Sequence, residues 1–334
     1  MDYGVEARNN NGRRKGSKTS VYAALAGNLL VAATKFVAAV FTGSAAMLSE
    51  GVHSLVDTGN EALLLYGMHR AALPPDSKSP MGHGRELYFW SFIVALLIFS
   101  LGACISLYQG VVRIISPTPI QHIWVSYAVI GLSALFEGGS WWIARKQFKH
   151  DKHAKGYLEA ARRSKDPTTF TVLFEDSAAL VGLLTAFVGI FLSHHLGRPV
   201  FDGIASVVIG IILACTAAFL MRETKGLLIG EQASAKLQDR ITEIADNDKT
   251  VERANGVLTV HLGPDHVVVM LSVKFIDGAH TADIENSVQR IEEQARAEFP
   301  QVMTMLVKPQ RTQEWYQRHQ ELTRGDRQKE QNSQ

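Results

Sequence analysis

Cysteine is almost missing from this chain. Only Cys104 and Cys215 occur in 334 residues, far apart and inside apolar runs. That excludes a disulfide framework and any CxxC metal or redox motif. An excess of either charge is missing as well: 34 Lys+Arg against 32 Asp+Glu leave a formal charge of +2. A strongly basic nucleic-acid binder is therefore excluded, and the aromatic residues sit in apolar segments rather than on a stacking platform. No internal repeat or low-complexity run stands out. No nucleophile–base pair and no phosphate-cradling glycine loop is evident, so the chain does not read as an enzyme. The residues before Val21 include Arg8, Arg13, Arg14, Lys15 and Lys18. They have no short apolar core with a small-residue cleavage site, so they read as neither a secretory signal nor a transit peptide.

What the chain does have is long apolar runs. A mean hydropathy of +0.03 averages an apolar stretch, residues 19–222, with polar ends. Crossing about 30 Å of hydrocarbon takes roughly 20 mostly apolar residues. Six stretches qualify: Val21–Thr42, Ala45–Met68, Tyr88–Ile115, Ile123–Ala144, Thr168–Leu192 and Ile204–Met221. The connections after the second and fourth are basic (His69, Arg70, Lys78 and Arg85, then Arg145 to Lys165), whereas the others are short and nearly uncharged. The positive-inside rule then places both termini in the cytosol. Trp124 at one end of the fourth stretch, and Trp141 with Trp142 at the other, suit the two headgroup belts.

After Arg222 the pattern changes. Ala233–Ala245 reads as an amphipathic helix, Gly256–Leu262 and Val267–Ile276 as strands around a Gly263-Pro264-Asp265 turn, Thr281–Phe299 as a helix and Val302–Val307 as a strand. The order αββαβ suits a small open-faced sandwich. The expected division is a basic segment at 1–20, a six-helix membrane domain at 21–222, a cytosolic α+β domain at 223–310 and an unstructured polar tail at 311–334.

Ionisable residues inside a bilayer cost about 2.5–3.5 kcal/mol each on insertion scales and are functional suspects by default. The second apolar stretch carries Glu50, His53 and Asp57, then Asn60 and Glu61. At about 100° per residue the first three fall within a sector of roughly 60°. An imidazole and a carboxylate one turn apart supply half of a tetrahedral metal site. The fifth stretch adds Glu175 and Asp176, with Asp176 the better candidate. Glu175 points about 100° away from it and is open to pairing with another helix, for instance with Lys35. Lys35 itself must snorkel or find a partner. Glu137 is either a proton relay or held by a neighbouring helix. Asp202 either lines an exit path or is a plain helix-start carboxylate.

Three stretches together resemble the cation diffusion facilitators: Phe41 to Asp57 (FTGSAAMLSEGVHSLVD), Pro80 to Glu86 (PMGHGRE) and Leu173 to Ala179 (LFEDSAA). The six helices and αββαβ tail match that family's plan over about residues 20–310. The resemblance implies a homodimeric exporter of divalent metal, usually zinc, that exchanges the ion for protons and carries a ferredoxin-like cytosolic domain. It assigns His53 and Asp57 to one half of the transport site and Asp176 to the other. It implies no prosthetic group; the metal is cargo. A multi-pass protein of a bacterial plasma membrane is the expected setting.

The departures from the family pattern matter. Zinc-transporting members commonly have a second histidine four residues before the helix-five aspartate; here that position is Val172. One nitrogen and two carboxylates remain, with Glu50 the best-placed fourth ligand by helical angle and Glu175 a further candidate. Fewer nitrogens favour harder ions such as manganese, iron or magnesium, so zinc leads only narrowly. The Glu-Asp pair and the Ser-Glu-x-x-His run resemble the branch that includes mitochondrial zinc-transporter relatives. His83 stands in a loop where the family sometimes binds a second ion. In the C-terminal domain, Leu271 or Ser272 and Val307 or Lys308 replace the histidines of members that bind zinc there, and only His280 is retained. His261 and His266 flank the hairpin turn, and His150, His153, His194 and His195 read as solvated or interfacial. The rival reading is a membrane metal sensor or scaffold, but such a protein has no need of His53, Asp57 and Asp176 at mid-depth on separate helices.

Overall fold

The computed structural model describes residues 28–120, 122–148, 165–318 and 320–321. The basic N-terminal segment, the start of the first apolar stretch, the connection at 149–164 with His150 and His153, and the end of the tail lie outside the described residues. The chain divides into two compact units, one of residues up to Leu73 with Glu86–Lys225, the other of Pro74–Arg85 with Gly226 onward.

Among the described residues, the elements of the first unit are helices: α1 (Asn28–Thr42), α2 (Ala45–Ala71), α3 (Arg85–Ile115), α4 (Ile123–Phe148), α5 (Pro167–His195) and α6 (Val200–Ile229). Four segments among the described residues are long and apolar enough to cross a membrane: Arg85–Ile115, Ile123–Trp142, Phe170–His195 and Val200–Ile229. α2 is as long, with 27 residues, but Glu50, Asp57 and Glu61 interrupt its apolar character.

Local chemistry sets the helix ends. Gly43 adopts φ +66° and its N–H bonds Ala39 O at 2.8 Å, a left-handed stop that suits glycine. Ser44 then caps α2 by accepting from Met47 N. Asp202, at the start of α6, reinforces this foreign helix end rather than its own. It accepts from Ser44 Oγ at 2.5 Å, Ala45 N at 2.6 Å and Ala46 N at 3.3 Å, with Arg113 Nε at 3.7 Å. α5 opens with Asp166 accepting from Thr168 N, followed by Pro167.

Small residues let the helices approach closely, as expected where burial of apolar surface does not itself drive association. A methyl on Gly110 of α3 would stand 2.7 Å from Val207 N of α6, and one on Gly210 would stand 2.7 Å from Leu107 Cγ. Ser49, Ser206 and Ser106 continue the seam by hydrogen bonds linking α2, α6 and α3. α3 contains a π-helical turn at Ile98–Ala103, a feature often found at functional places. Trp124 and Trp142 are exposed. Trp141 is half-buried, and its Nε1 donates to Ser177 Oγ on α5 at 3.0 Å, so a polar partner on a neighbouring helix satisfies the indole.

The second unit has the order α7 (Ala235–Asp246), β1 (Val251–Gly263), β2 (His266–Phe275), α8 (Thr281–Glu298) and β3 (Val302–Pro309). β2 is central, antiparallel to β1 and parallel to β3. Leu237 and Ile241 of α7 and Ile291 and Ala295 of α8 pack on Val267, Val269, Leu271 and Val273 of the sheet. β1 starts five residues before the alternating stretch, because irregularities at Val251/Arg253 and Ala254/Gly256 break the period of two. The segment after Gln310, expected to be unstructured, forms a helix over residues 312–318. Asn255 Nδ2 donates to Gln310 O, Thr312 Oγ1 to Asn255 Oδ1 and Ser272 Oγ to Gln310 Oε1. Trp315 lies so close over Gly256 that a methyl there would stand 2.6 Å from its ring. Composition registers the polarity of this segment but not the partners waiting on the sheet.

Candidate metal centre

The candidate residues of α2 lie on its buried side. His53 is 1 % exposed, and its Nδ1 stands 3.2 Å from Asp57 Oδ1. Neither ring nitrogen makes a hydrogen bond, and neither does Asp57 Oδ1, although all are buried. Buried polar atoms almost always find a partner. Leaving an imidazole and a carboxylate oxygen without one, a turn apart, is costly unless a cation uses them.

Asp57 and Asp176 meet at a cavity of about 40 Å³, lined also by Asn28, Ser54, Glu137 and Ser140. A single water needs roughly 10–15 Å³ on this measure, so the space suits an ion with little of its hydration. Asp176 is steadied by Ser140 Oγ of α4 at 2.8 Å. Sequence reading passed over Ser140, Ser54 and Asn28. Their only signal is polarity within an apolar helix, which most membrane serines share. Among the described residues, no three His, Cys, Asp or Glu side chains stand close enough to hold one ion together.

The two further carboxylates are engaged elsewhere. Glu50 is fully buried, with Oε2 3.3 Å from Lys35 Nζ. Its Oε1 faces Gly182 of α5, where a methyl would stand only 2.5 Å away. Glu175 accepts from Asn60 Nδ2 at 2.8 Å. The partner weighed for Glu175, Lys35, instead holds Glu50 and Glu137, the latter at 2.6 Å. Val172 is partly buried on α5, an apolar side chain that cannot ligate.

The remaining histidines separate by environment. His83 Nε2 lies 3.3 Å from Asp76 Oδ2 in the Pro74–Arg85 segment. The N–H groups of Ser79 and Lys78, with His83 adding to them, hold the Asp76 carboxyl below its ordinary range. His261 is buried, with Nδ1 3.2 Å from Gly263 O. His280 stands at the N-cap of α8, where its N–H donates to Asp283 Oδ2. His195 stacks on Phe191 with centroids 5.7 Å apart.

The profile of the cation efflux transmembrane domain matches residues 21–229. The human mitochondrial protein named proton-coupled zinc antiporter SLC30A9 is 32 % identical over 288 residues, 84 % of this chain and 50 % of the relative. Its Xenopus laevis counterpart is 34 % identical over 243 residues, 72 % of this chain and 44 % of the relative. Metal tolerance protein C4 of Arabidopsis thaliana is 32 % identical over 250 residues, 74 % and 55 % respectively. The chain spans about half the length of these relatives. With a matching profile over most of the chain and a multi-helix apolar unit beneath it, the chain belongs to the cation efflux family of membrane transporters.

Proposed function

We propose that the chain exports divalent cations from the cytosol in exchange for protons, with zinc the first candidate and manganese or iron the alternative. The observation that carries this reading is the small polar cavity shared by Asp57 of α2 and Asp176 of α5, with His53, whose ring nitrogens make no hydrogen bond, one turn before Asp57. His53, Asp57 and Asp176 are the proposed ligands. In the conformation described, Glu50 and Glu175 have other partners. Loading the ion then draws the three ligands together, a short-range movement of α5 against α2.

The chemistry of these groups supplies the coupling. An imidazole ligates only when neutral and a carboxylate ligates best when ionised, so metal binding releases any protons they carry. On the far side, proton uptake by the same groups competes with the metal and expels it. Support for zinc and for protons comes from the printed names of the SLC30A9 relatives. Support for harder ions comes from the single imidazole.

The finer architecture of this reading is six membrane spans, α1 to α6, a ferredoxin-like αββαβ domain and a homodimer with both termini cytosolic. The basic connections after α2 and α4 support that orientation. A bacterial plasma membrane is the setting expected from sequence, and the relatives' mitochondrial names mark the competing one; fractionation of the host cell decides between them. Flux of zinc, manganese and iron in vesicles reconstituted with the purified protein tests the central reading. Saturable export stimulated by an inward proton gradient is expected, and absence of metal flux in correctly inserted protein overturns the reading.

A further inference from the structure

Lys35 is the sole Lys or Arg among the buried described residues, and its exposure is 0 %. An ammonium has three N–H donors and no acceptor. Here all three are used: by Ser54 Oγ at 2.7 Å, Glu137 Oε1 at 2.6 Å and Glu50 Oε2 at 3.3 Å. The group sits in a nest of three oxygens from α2 and α4, much as a bound cation would. Two walls of that nest, Ser54 and Glu137, also line the cavity between Asp57 and Asp176. The nest and the ion cavity are therefore neighbours with a common wall.

We propose that Lys35 is a specificity-determining residue: its tethered ammonium fills a second oxygen nest beside the transport site, withholding Glu50 from the transported metal and keeping a second cation out. This rests on the transport reading above. A fixed positive charge at the shared wall limits how much negative charge the incoming ion meets. It also removes the one oxygen donor that helical angle would place with His53 and Asp57. The ion is left with one nitrogen and two carboxylates rather than a set richer in oxygen, and oxygen-rich sets favour hard ions. The lysine thus counteracts part of the shift toward manganese caused by Val172. Glu50 Oε1 has no hydrogen-bond partner, so this carboxylate is held by the ammonium and is available once the charge is removed.

The test is flux in reconstituted vesicles, with zinc and manganese as the probes and KM and kcat resolved separately. Lys35→Met is expected to lower KM for manganese at least fivefold, slow kcat and raise the manganese-to-zinc flux ratio. Lys35→Met/Glu50→Gln keeps the net charge of the nest and removes the freed donor, so the wild-type ratio is expected to return. Lys35→Arg keeps the charge and is also expected to keep the ratio. A purely structural lysine would lower insertion or kcat in the single variant without moving the ratio, and that result overturns the proposal. Where Lys35→Met fails to insert, Lys35→Gln, which keeps a polar side chain without the charge, takes its place: a raised manganese-to-zinc ratio supports the assignment, and an unchanged ratio contradicts it. Loss of metal flux already in the wild type would instead sink the transport reading.

Discussion

The two units of this chain handle charge in opposite ways. In the C-terminal unit the core cluster is built from apolar residues such as Ile241, Val269 and Ile291. The buried polar side chains beside it are hydroxyls and His261, with no Asp, Glu, Lys or Arg among the unit's buried described residues. Its charges sit at the rim in short pairs, such as Arg240 with Glu298 and Arg290 with Asp248 at 2.9 and 2.8 Å. In the helical unit Lys35, Glu50, His53 and Glu175 are buried, and several of their polar atoms have no hydrogen-bond partner. The first arrangement stabilises a fold. The second opposes folding unless the helices around it compensate, and it is the arrangement expected where a cation must be taken up and released. Charge burial without full satisfaction therefore marks the part of the molecule that has chemistry to perform.

The sharpest way to break this contrast is to remove a carboxylate from the ion cavity. Asp57→Ala or Asp176→Ala is expected to reduce zinc flux at least about 100-fold, roughly 2.7 kcal/mol of lost stabilisation, while the protein still inserts. Near wild-type flux in either variant would remove that residue from the site. An equivalent deletion in the C-terminal unit should act on stability instead. Ile241→Ala, at a fully buried position, is expected to cost about 2–5 kcal/mol, read as lost hydrogen-exchange protection of β1 and β2 in the full chain. Unchanged protection would show that α7 does not anchor the sheet.

The contrast also explains what could be read from sequence. Apolar stretches of membrane length and the period-two strands are strong signals because both depend on local pattern alone. Glu50, His53, Asp57 and Asp176 stood out because charge is rare in apolar helices. The partners did not: whether Glu50 meets a metal or Lys35, and whether Glu175 meets Lys35 or Asn60, depends on which helices pack together and at what height. The helix after Gln310 was missed for a related reason, since Asn255 and Ser272 hold it from a different part of the chain. Asp202 shows the same thing, capping α2 across 157 residues of sequence.

Two smaller effects refine the comparison. Val172→His places a second imidazole one turn before Asp176, and we expect the zinc-to-manganese flux ratio to rise about tenfold, about 1.4 kcal/mol. An unchanged ratio would mean that this face of α5 does not reach the ion. In the C-terminal unit, burial pushes the Asp248 carboxyl up, but hydrogen bonds from Arg290, the Thr250 N–H and Ser287, with the charge of Arg290, outweigh it and hold it at about 2. The folded-state value lies below the unfolded one near 3.9, so its contribution is complete above about pH 4 and is lost as pH falls toward 2. Allowing for solvent screening, about 1 kcal/mol is expected. Asp248→Asn should lower the unfolding midpoint of this unit at pH 6 and flatten its decline below pH 4. An identical acid profile in both proteins would contradict this account.

The central claim, that a proton-displaceable metal site lies between α2 and α5, is tested most directly by zinc flux in tight vesicles of known protein orientation with an imposed pH gradient. Wild-type protein should move zinc against the proton flow, faster as the gradient steepens, and Asp176→Ala should abolish both the flux and its dependence on the gradient. Zinc flux indifferent to the gradient, or unchanged by Asp176→Ala in inserted protein, would contradict it.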